Sequence, residues 1–252
     1  MKRKTSLAVI EKNKPVLRRI EELKKEHPFW GYRRIWAHLV YADQMIVNKK
    51  RIYNLMRKNS LLVNKETRLR AKRMALRPKP RAKKPNEIWG IDMSKIKTEI
   101  GWVYIVIVLD WYSKKIVGKQ VGLVSKTEDW LIALEEGLCK QYPEGALGKE
   151  LKLVSDNGCQ PTSTRFMKSC NTLGIKQIFT SYNNPKGNAD TERAIRTMKE
   201  ELFWLKEWQG VKQVEDALND WVERYNETYL HSSLGYKPPV WVETNFNKQE
   251  VA

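Results

Sequence analysis

The sequence is poor in the residues that build disulfide frameworks and zinc sites. It has three cysteines and three histidines among 252 residues, and no Cys-x-x-Cys pair. An odd number of isolated cysteines excludes a disulfide scaffold and the common zinc motifs, and it fits a reducing compartment. Long hydrophobic runs are also missing, since the longest, at 102–109, is far too short to cross a bilayer. Because no apolar segment follows the basic start, we expect a cytoplasmic protein with no membrane partner.

Acidic residues are scarce in the first third of the chain. Residues 1–85 contain 26 Lys and Arg against six acids, a net charge of +20, whereas residues 86–252 have a net charge of −2. A basic excess confined to one part of a chain predicts a nucleic-acid-binding module joined to a domain with another task. We therefore predict a DNA-binding module at 1–63, a core domain at 87–208 and a helical tail at 209–252.

The segment between module and core, 64–86, is predicted to be a basic linker. Half of the positions from 65 to 84 are Lys or Arg, and Pro78, Pro80 and Pro85 interrupt any helix. An extended chain of this charge can lie along a phosphate backbone. A passive linker is the alternative, but it does not need so many positive charges.

The sequence at 1–63 predicts three helices. Apolar spacing places them at 15–27, with Pro15 in the first turn, at 32–42 and at 49–58, where Asn48 is a good N-cap. The third helix begins with three basic residues, which oppose the helix dipole but suit a recognition helix entering the major groove. We interpret the module as helix-turn-helix-like; an ordinary three-helix bundle would share the apolar spacing. The candidate DNA contacts here are Arg33, Arg34, Lys49, Lys50 and Arg51.

The body of the chain alternates strand and helix patterns. Period-two and continuous apolar runs predict strands, and 3.6-residue periodicity predicts helices. Their order, β-β-β-α-β-α-β-α, predicts a mixed α/β domain. The predicted strands lie at 87–97, 102–109, 114–121, 151–155 and 175–180, and the helices at 126–140, 164–173, 188–206 and 211–227.

Three acids stand out in this body. Asp92 lies inside an apolar strand, Asp156 ends another strand, and Glu192 lies in the first turns of a helix. Three carboxylates brought together would repel one another, and divalent cations that favour oxygen ligands, Mg²⁺ or Mn²⁺, would remove that conflict. Taken singly, Asp156 fits a turn residue and Glu192 a charge that complements the helix dipole. Asp92 is the hardest of the three to explain without a bound cation.

The spacing and the surroundings of these acids form a recognisable pattern. Thirty-five residues separate Asp156 from Glu192. The surrounding segments are WGID at 89–92, SDNG at 155–158, GNADTER at 187–193, KEEL at 199–202, and YN at 225–226 followed by HSSLGYKP at 231–238; in the front end they are GYRRI at 31–35 and NKKRIY at 48–53. These segments and the DD(35)E-like spacing resemble the OrfB-type insertion-sequence transposases of the DDE retroviral-integrase superfamily. The resemblance covers about residues 27–245.

This resemblance implies a ribonuclease-H-like mixed five-stranded sheet with flanking helices, preceded by the all-α helix-turn-helix-like module. It implies that strands 2 and 3 are antiparallel to the rest. It also implies that Asp92, Asp156 and Glu192 are catalytic and hold two Mg²⁺ or Mn²⁺ ions. Lys199, seven residues after the glutamate, would bind DNA beside them.

The implied activity is that of a two-metal polynucleotidyl transferase, a transposase that cleaves DNA 3′ ends and transfers strands. Its partners would be double-stranded DNA (the element's terminal repeats and a target), further copies of the chain in a homo-oligomer, and an upstream OrfA product, fused or separate. A non-catalytic DNA-binding regulator of transposition and a ribonuclease-H-like nuclease remain as alternatives. Asp110, at the end of another strand, is predicted to be structural.

Overall fold

The computed structural model describes residues 7–63, 80–180 and 187–251. Most of the linker predicted at 64–86 lies outside these residues, as does part of the turn that precedes Glu192. Within the described ranges, no helix is long and apolar enough to cross a membrane.

The N-terminal module contains the three predicted helices, α1 (Leu7–Glu26), α2 (Tyr32–Tyr41) and α3 (Lys49–Lys58). The side chain of Asn48 caps α3 by accepting a hydrogen bond from the Arg51 N–H at 3.0 Å, as predicted. The predicted start of α1 is wrong, because the helix begins eight residues before Pro15. Residues 7–14 are mostly good helix formers, and the helix continues through the proline despite the lost hydrogen bond.

One apolar cluster holds these helices together. Ile52, Leu55 and Met56, the stripe that the sequence predicts for α3, are all buried in it. The other buried members are Val16, Ile20, Leu23, Trp30, Ile35 and Leu39.

The core domain is built on the predicted mixed five-stranded sheet. Its strands are β1 (Ile88–Thr98), β2 (Gly101–Asp110), β3 (Ile116–Gly122), β4 (Lys152–Ser155) and β5 (Lys176–Phe179). They lie in the order β3-β2-β1-β4-β5. The expectation that both β2 and β3 oppose the rest is wrong: only β2 does. Short loops join β1 to β2 and β2 to β3, so each connection reverses the chain and returns β3 to the direction of β1.

Helices cover both faces of the sheet. On one face, α4 (Thr127–Gln141) and α5 (Thr164–Thr172) pack against an apolar cluster that includes Trp89 and Ile91. On the other, α6 (Ala189–Met198) and α7 (Val211–Thr228) pack against a cluster that includes Ile88 and Ile107. Alternate residues of β1 therefore enter opposite layers, as the pleat requires.

The predicted helix at 188–206 is not continuous. It is α-helical only through α6, and a π-helical segment, Lys199–Phe203, follows. The wider turn appears where Phe203 and Trp208 enter the apolar layer, and their rings meet edge to face with centroids 5.3 Å apart. Such a break is a tertiary effect that side-chain periodicity does not reveal.

The contacts divide the chain into two compact units. Among the described residues, the first combines 7–63 with a short segment of the tail, 230–236, and the second contains 80–180, 187–229 and 237–251. The tail segment holds one 3₁₀ turn, Ser232–Leu234, and the last described helix is α8 (Pro239–Val251).

Candidate active site and DNA-binding module

Asp92 and Asp156 come from neighbouring parallel strands. Trp89 of β1 is paired with Leu153 of β4, and Gly90 with Val154. Continuing this register by two residues, beyond the end of β4, puts Asp156 beside Asp92. The side chain of Asp92 belongs to the face of β1 on which α6 packs, because it alternates with Ile91, which lies in the opposite layer.

The charges of the four residues predicted for the centre of the site act on one another. The pKa of Asp92 is raised to about 7, chiefly by burial and also by the charges of Asp156 and Glu192. The N–H of Met93 opposes this rise through a hydrogen bond of 2.8 Å, and the ammonium of Lys199 opposes it too. The fold therefore brings the three acids and the lysine into one electrostatic neighbourhood.

Asp156 also has the role of a turn residue. One of its carboxylate oxygens accepts the N–H of Gly158 at 3.0 Å, and the side-chain amide of Asn157 donates to the carbonyl of Thr180, just after β5. The turn interpretation and the cation interpretation are compatible, since the residue is exposed at the end of β4. Asn157 ties this turn to the next strand.

The start of α6, which carries Glu192, is anchored to β1. The side-chain amide of Asn188 donates to the carbonyl of Ile91 at 3.1 Å, and the indole N–H of Trp111 donates to the hydroxyl of Thr191 at 3.1 Å. Asn188, Trp111 and Thr191 are all buried. Because Glu192 follows Thr191 directly, these bonds set its position along the strand that carries Asp92.

Gly90 permits this close contact. A Cβ at position 90 would lie 2.0 Å from the Thr191 hydroxyl, 2.3 Å from the Trp111 indole nitrogen and 2.8 Å from the Asn188 amide oxygen. Any other side chain would push α6 away from the sheet. Gly90, Trp111, Asn188 and Thr191 form the contact between β1 and the start of α6, which we call the α6 joint. Gly90 lies two residues before Asp92.

Lys199 lies where α6 gives way to the π-helical segment. Burial lowers the pKa of its ammonium, and the charge of Asp92 partly restores it. Two turns of regular helix separate Lys199 from Glu192, a rise of about 10 Å. Both residues therefore lie on the same side of α6, as the sequence predicts.

The donor set fits a hard divalent cation by its chemistry. Carboxylate oxygens are the ligands that Mg²⁺ and Mn²⁺ prefer, and a cation would oppose the effects of burial and of the neighbouring acids, which together raise the pKa of Asp92. Across the described ranges, however, no group of three or more His, Cys, Asp or Glu side chains is arranged closely enough to hold a metal ion. The three acids share a neighbourhood without converging on one point.

The predicted DNA contacts of the module differ in their surroundings. The ammonium of Lys49 lies 4.1 Å from the ring centre of Trp36, and Lys50 is exposed at the same helix end. Arg33 is exposed beside the Tyr32 hydroxyl, at 3.2 Å, and the guanidinium of Arg34 lies over the Trp30 ring.

Arg51 is engaged inside the module. Its guanidinium donates to the Asn13 side chain and to the Lys12 carbonyl of α1, both at 2.8 Å. Its contacts are those of a residue that joins α3 to α1. The basic cluster at the start of α3 thus divides into lysines that face outward and an arginine that binds its own module.

Asp110 is structural, as the sequence suggests. Its buried carboxylate accepts hydrogen bonds from the N–H and the hydroxyl of Ser113 and from the N–H of Asn86. Burial raises the pKa of Asp110, and these bonds oppose that shift. Sequence reasoning did not identify Thr191 and Trp111 as supports of the site, since neither residue type signals such a role by itself.

Comparison with known proteins agrees with this geometry. Residues 82–185 and 173–239 match two family models described as integrase core domain, and residues 11–68 match a family model described as HTH-like domain. A chain of the simian T-cell lymphotropic virus intasome, in complex with PP2A regulatory subunit B56 gamma, shares the fold with a TM-score of 0.56 and 16% identity. The superposition covers 89% of this chain and 74% of that one.

Curated relatives are transposases. A protein of Mycobacterium tuberculosis assigned as the transposase for insertion sequence element IS986/IS6110 is 30% identical over 66% of this chain. The chain spans 60% of the length of that mycobacterial relative. The transposase for IS629 from Shigella sonnei is 26% identical over 87% of this chain and 75% of its own. By its two integrase core domain matches, which together span residues 82–239, the chain belongs to the integrase core domain family, and it is similar to insertion-sequence transposases.

Proposed function

We propose that this chain is a DDE transposase that cleaves the 3′ ends of an insertion sequence and joins them to target DNA with the help of divalent metal ions. The observation that carries the proposal is the neighbourhood of Asp92, where Asp156, Glu192 and Lys199 all act on one carboxyl whose pKa is raised to about 7. A raised carboxyl pKa beside like charges is typical of a functional site. Two bound Mg²⁺ or Mn²⁺ ions would activate an attacking hydroxyl and stabilise the leaving 3′ oxygen.

The protein groups have separate roles in this proposal. Asp92 on β1 and Asp156 just after β4 would hold the cations, together with Glu192 on α6. Lys199, on the same side of α6, binds the DNA backbone next to the reacting phosphate. No covalent bond between protein and DNA is needed, since the hydroxyl attacks phosphorus directly.

The N-terminal module supplies the DNA affinity. Its match to an HTH-like domain and the exposure of Arg33, Lys49 and Lys50 support a role in holding the terminal repeats. We propose a mainly structural role for Arg34 and Arg51, because Arg34 lies over the Trp30 ring and Arg51 donates a hydrogen bond to α1. Phosphate contacts of this kind give affinity that falls steeply with salt.

Bringing two element ends together requires more than one copy of the chain, so we propose a homo-oligomer assembled on DNA, associated with the nucleoid. The curated transposases are longer than the aligned part of this chain. We also propose that an upstream OrfA product, fused or separate, acts with this chain.

The proposal is tested with labelled DNA carrying the ends that flank this gene, incubated with Mn²⁺ or Mg²⁺. We expect 3′ cleavage and joined products from the unaltered protein, and neither from Asp156→Asn. The matched control is Asp190→Asn, which should retain activity. Asp190 lies at the same end of α6 as Glu192, and its carboxylate pairs with the ammonium of Lys114 at 3.4 Å.

The alternatives give different products. Binding without cleavage, also when the upstream product is supplied, would indicate a regulator. Cleavage without joining, strongest on RNA–DNA hybrids, would indicate a ribonuclease-H-like nuclease. Either result would overturn the transposase assignment.

A further inference from the structure

We infer that Tyr236, from the tail, is a positioning residue of the DNA-binding module: its ring, with that of Trp36, holds the Lys49 ammonium in place for a DNA phosphate. The inference rests on the proposed DNA-binding function of the module. It gives a role to the tail motif at 231–238, which the carboxylate chemistry does not use. The contacts that carry it lie within the first compact unit, which includes residues 230–236.

The tail segment is a compact loop that presents Tyr236. The carbonyl of His231 accepts the N–H of Leu234 at 3.1 Å and the N–H of Tyr236 at 2.7 Å. Gly235 and Tyr236 then have φ angles of +64° and +62°. A left-handed backbone is uncommon for tyrosine and persists only where the surroundings hold it.

Those surroundings are aromatic residues of α2. The Tyr236 ring meets Trp36 edge to face with centroids 5.2 Å apart and stacks on Tyr41 at 5.9 Å. Trp36 is fixed in turn, because its indole N–H donates to the carbonyl of Val47 at 2.9 Å, just before α3. The ring of Tyr236 is therefore held at the start of the helix that the sequence assigns to DNA recognition.

Lys49 lies beside both rings. Its ammonium is 4.1 Å from the ring centre of Trp36 and 5.4 Å from that of Tyr236. These cation–π contacts offset the unfavourable placement of a positive charge at a helix N-terminus. Since rings cover only part of the ammonium, its remaining N–H donors can bind an anion while the side chain stays oriented.

Arg33 is electrostatically coupled to the same tyrosine. Its pKa is raised mainly by the hydrogen bond with the Tyr32 hydroxyl and, more weakly, by Tyr236. Tyr236 thus stands near two of the exposed cations that are candidates for phosphate contact. The chemistry of this surface, two cations and a phenol, suits the phosphates of a DNA backbone.

Ordering Lys49 before binding lowers the entropy that its side chain loses on contact with DNA. Fixing a long side chain costs an amount that corresponds to about a two- to tenfold change in affinity. Removing the Tyr236 ring should therefore weaken DNA binding by about that factor, and only as long as Lys49 is present.

The test measures fluorescence anisotropy of labelled duplex DNA carrying the flanking ends, with the full chain, between about 50 and 200 mM salt. Tyr236→Ala is expected to weaken binding about two- to tenfold, and Tyr236→Phe, which keeps the ring, to restore it. Lys49→Met should lower the slope of log affinity against log salt by about 0.9, the value for one phosphate. In the Lys49→Met background, Tyr236→Ala should have no further effect.

The matched control is Trp241→Ala. Trp241 is an exposed ring of the same tail, with Lys237 at 4.8 Å from its centre, but it belongs to the second compact unit. It should leave DNA binding unchanged. Thermal unfolding of each variant shows whether the fold is intact.

Three results would overturn the inference. DNA binding by Tyr236→Ala equal to that of the unaltered protein contradicts it. So does an equal loss with and without Lys49, which would indicate a merely structural role. Failure of the unaltered protein to bind DNA would overturn the proposed function of the module, and the inference with it.

Discussion

The indole N–H of Trp111 donates to the hydroxyl of Thr191 across 3.1 Å in the interior of the core domain. Trp111 directly follows β2, and Thr191 precedes Glu192 in α6. This bond connects the sheet that carries Asp92 to the helix that carries Glu192. The relative position of Asp92 and Glu192 therefore depends on this bond, on the buried bond from Asn188 to the carbonyl of Ile91, and on the absence of a side chain at Gly90.

Thr191→Val should reduce DNA joining about 10- to 100-fold, the range for groups that orient metal ligands. Valine keeps the shape of threonine but removes the hydroxyl that accepts the hydrogen bond from the Trp111 indole N–H. Thr191→Ser keeps the hydroxyl and should retain most activity. Titration of DNA-free protein with Mn²⁺ should show weaker binding in Thr191→Val alone; equal Mn²⁺ affinity in all three proteins would contradict this role.

Gly90→Ala should destabilise the core domain by about 1–3 kcal/mol, because the added methyl overlaps three buried atoms. Gly122→Ala is the control, since the nearest atom to its Cβ would be at 3.4 Å, an ordinary contact. Denaturant unfolding measures both. The packing of α6 on β1 described here would be refuted by equal stabilities of the two variants.

Asp92→Asn should make the metal-free protein more stable at pH 8. The folded pKa of about 7 exceeds the ordinary value of 3.8, so the folded protein holds the proton more tightly. Stability is therefore lost as the pH rises from about 4 through 7, and the asparagine variant escapes that loss. The gain at pH 8 should be on the order of 1–3 kcal/mol, reduced by partial exposure, and should disappear near pH 4.

Thermal unfolding in a chelating buffer across this pH range measures the effect. Adding Mn²⁺ at pH 8 should stabilise the unaltered protein and leave the variant unchanged. If the stabilities of the two proteins changed with pH in parallel, the surroundings would not raise the pKa of Asp92, and the prediction would be wrong.

Much of the core domain could be predicted from the sequence because its signals are local. The apolar run of β2 and the alternation in β1 marked the strands, and Asn48 marked the start of α3. Asp92 and Asp156 were identified as candidate catalytic residues because the WGID and SDNG segments that contain them resemble those of a transposase family. Composition by itself would not have separated these acids from Asp110, which also ends a strand.

The remaining features depend on contacts between distant residues. The π-helical segment at Lys199–Phe203 follows from how Phe203 and Trp208 pack, and the α6 joint follows from Gly90 meeting Thr191. The place of Tyr236 beside Lys49 joins the tail of the chain to its first helices. Neither periodicity nor turn chemistry carries information over such separations.

The most direct test of the central claim is metal-dependent joining of a pre-cleaved element end, which bypasses the first cleavage. Asp92→Asn, Asp156→Asn and Glu192→Gln should each abolish joining in Mn²⁺ or Mg²⁺ while DNA binding persists, and Asp190→Asn should join normally. Joining that continues in any one of the three variants, or in the presence of a chelator, would contradict the assignment of these carboxylates as the catalytic set.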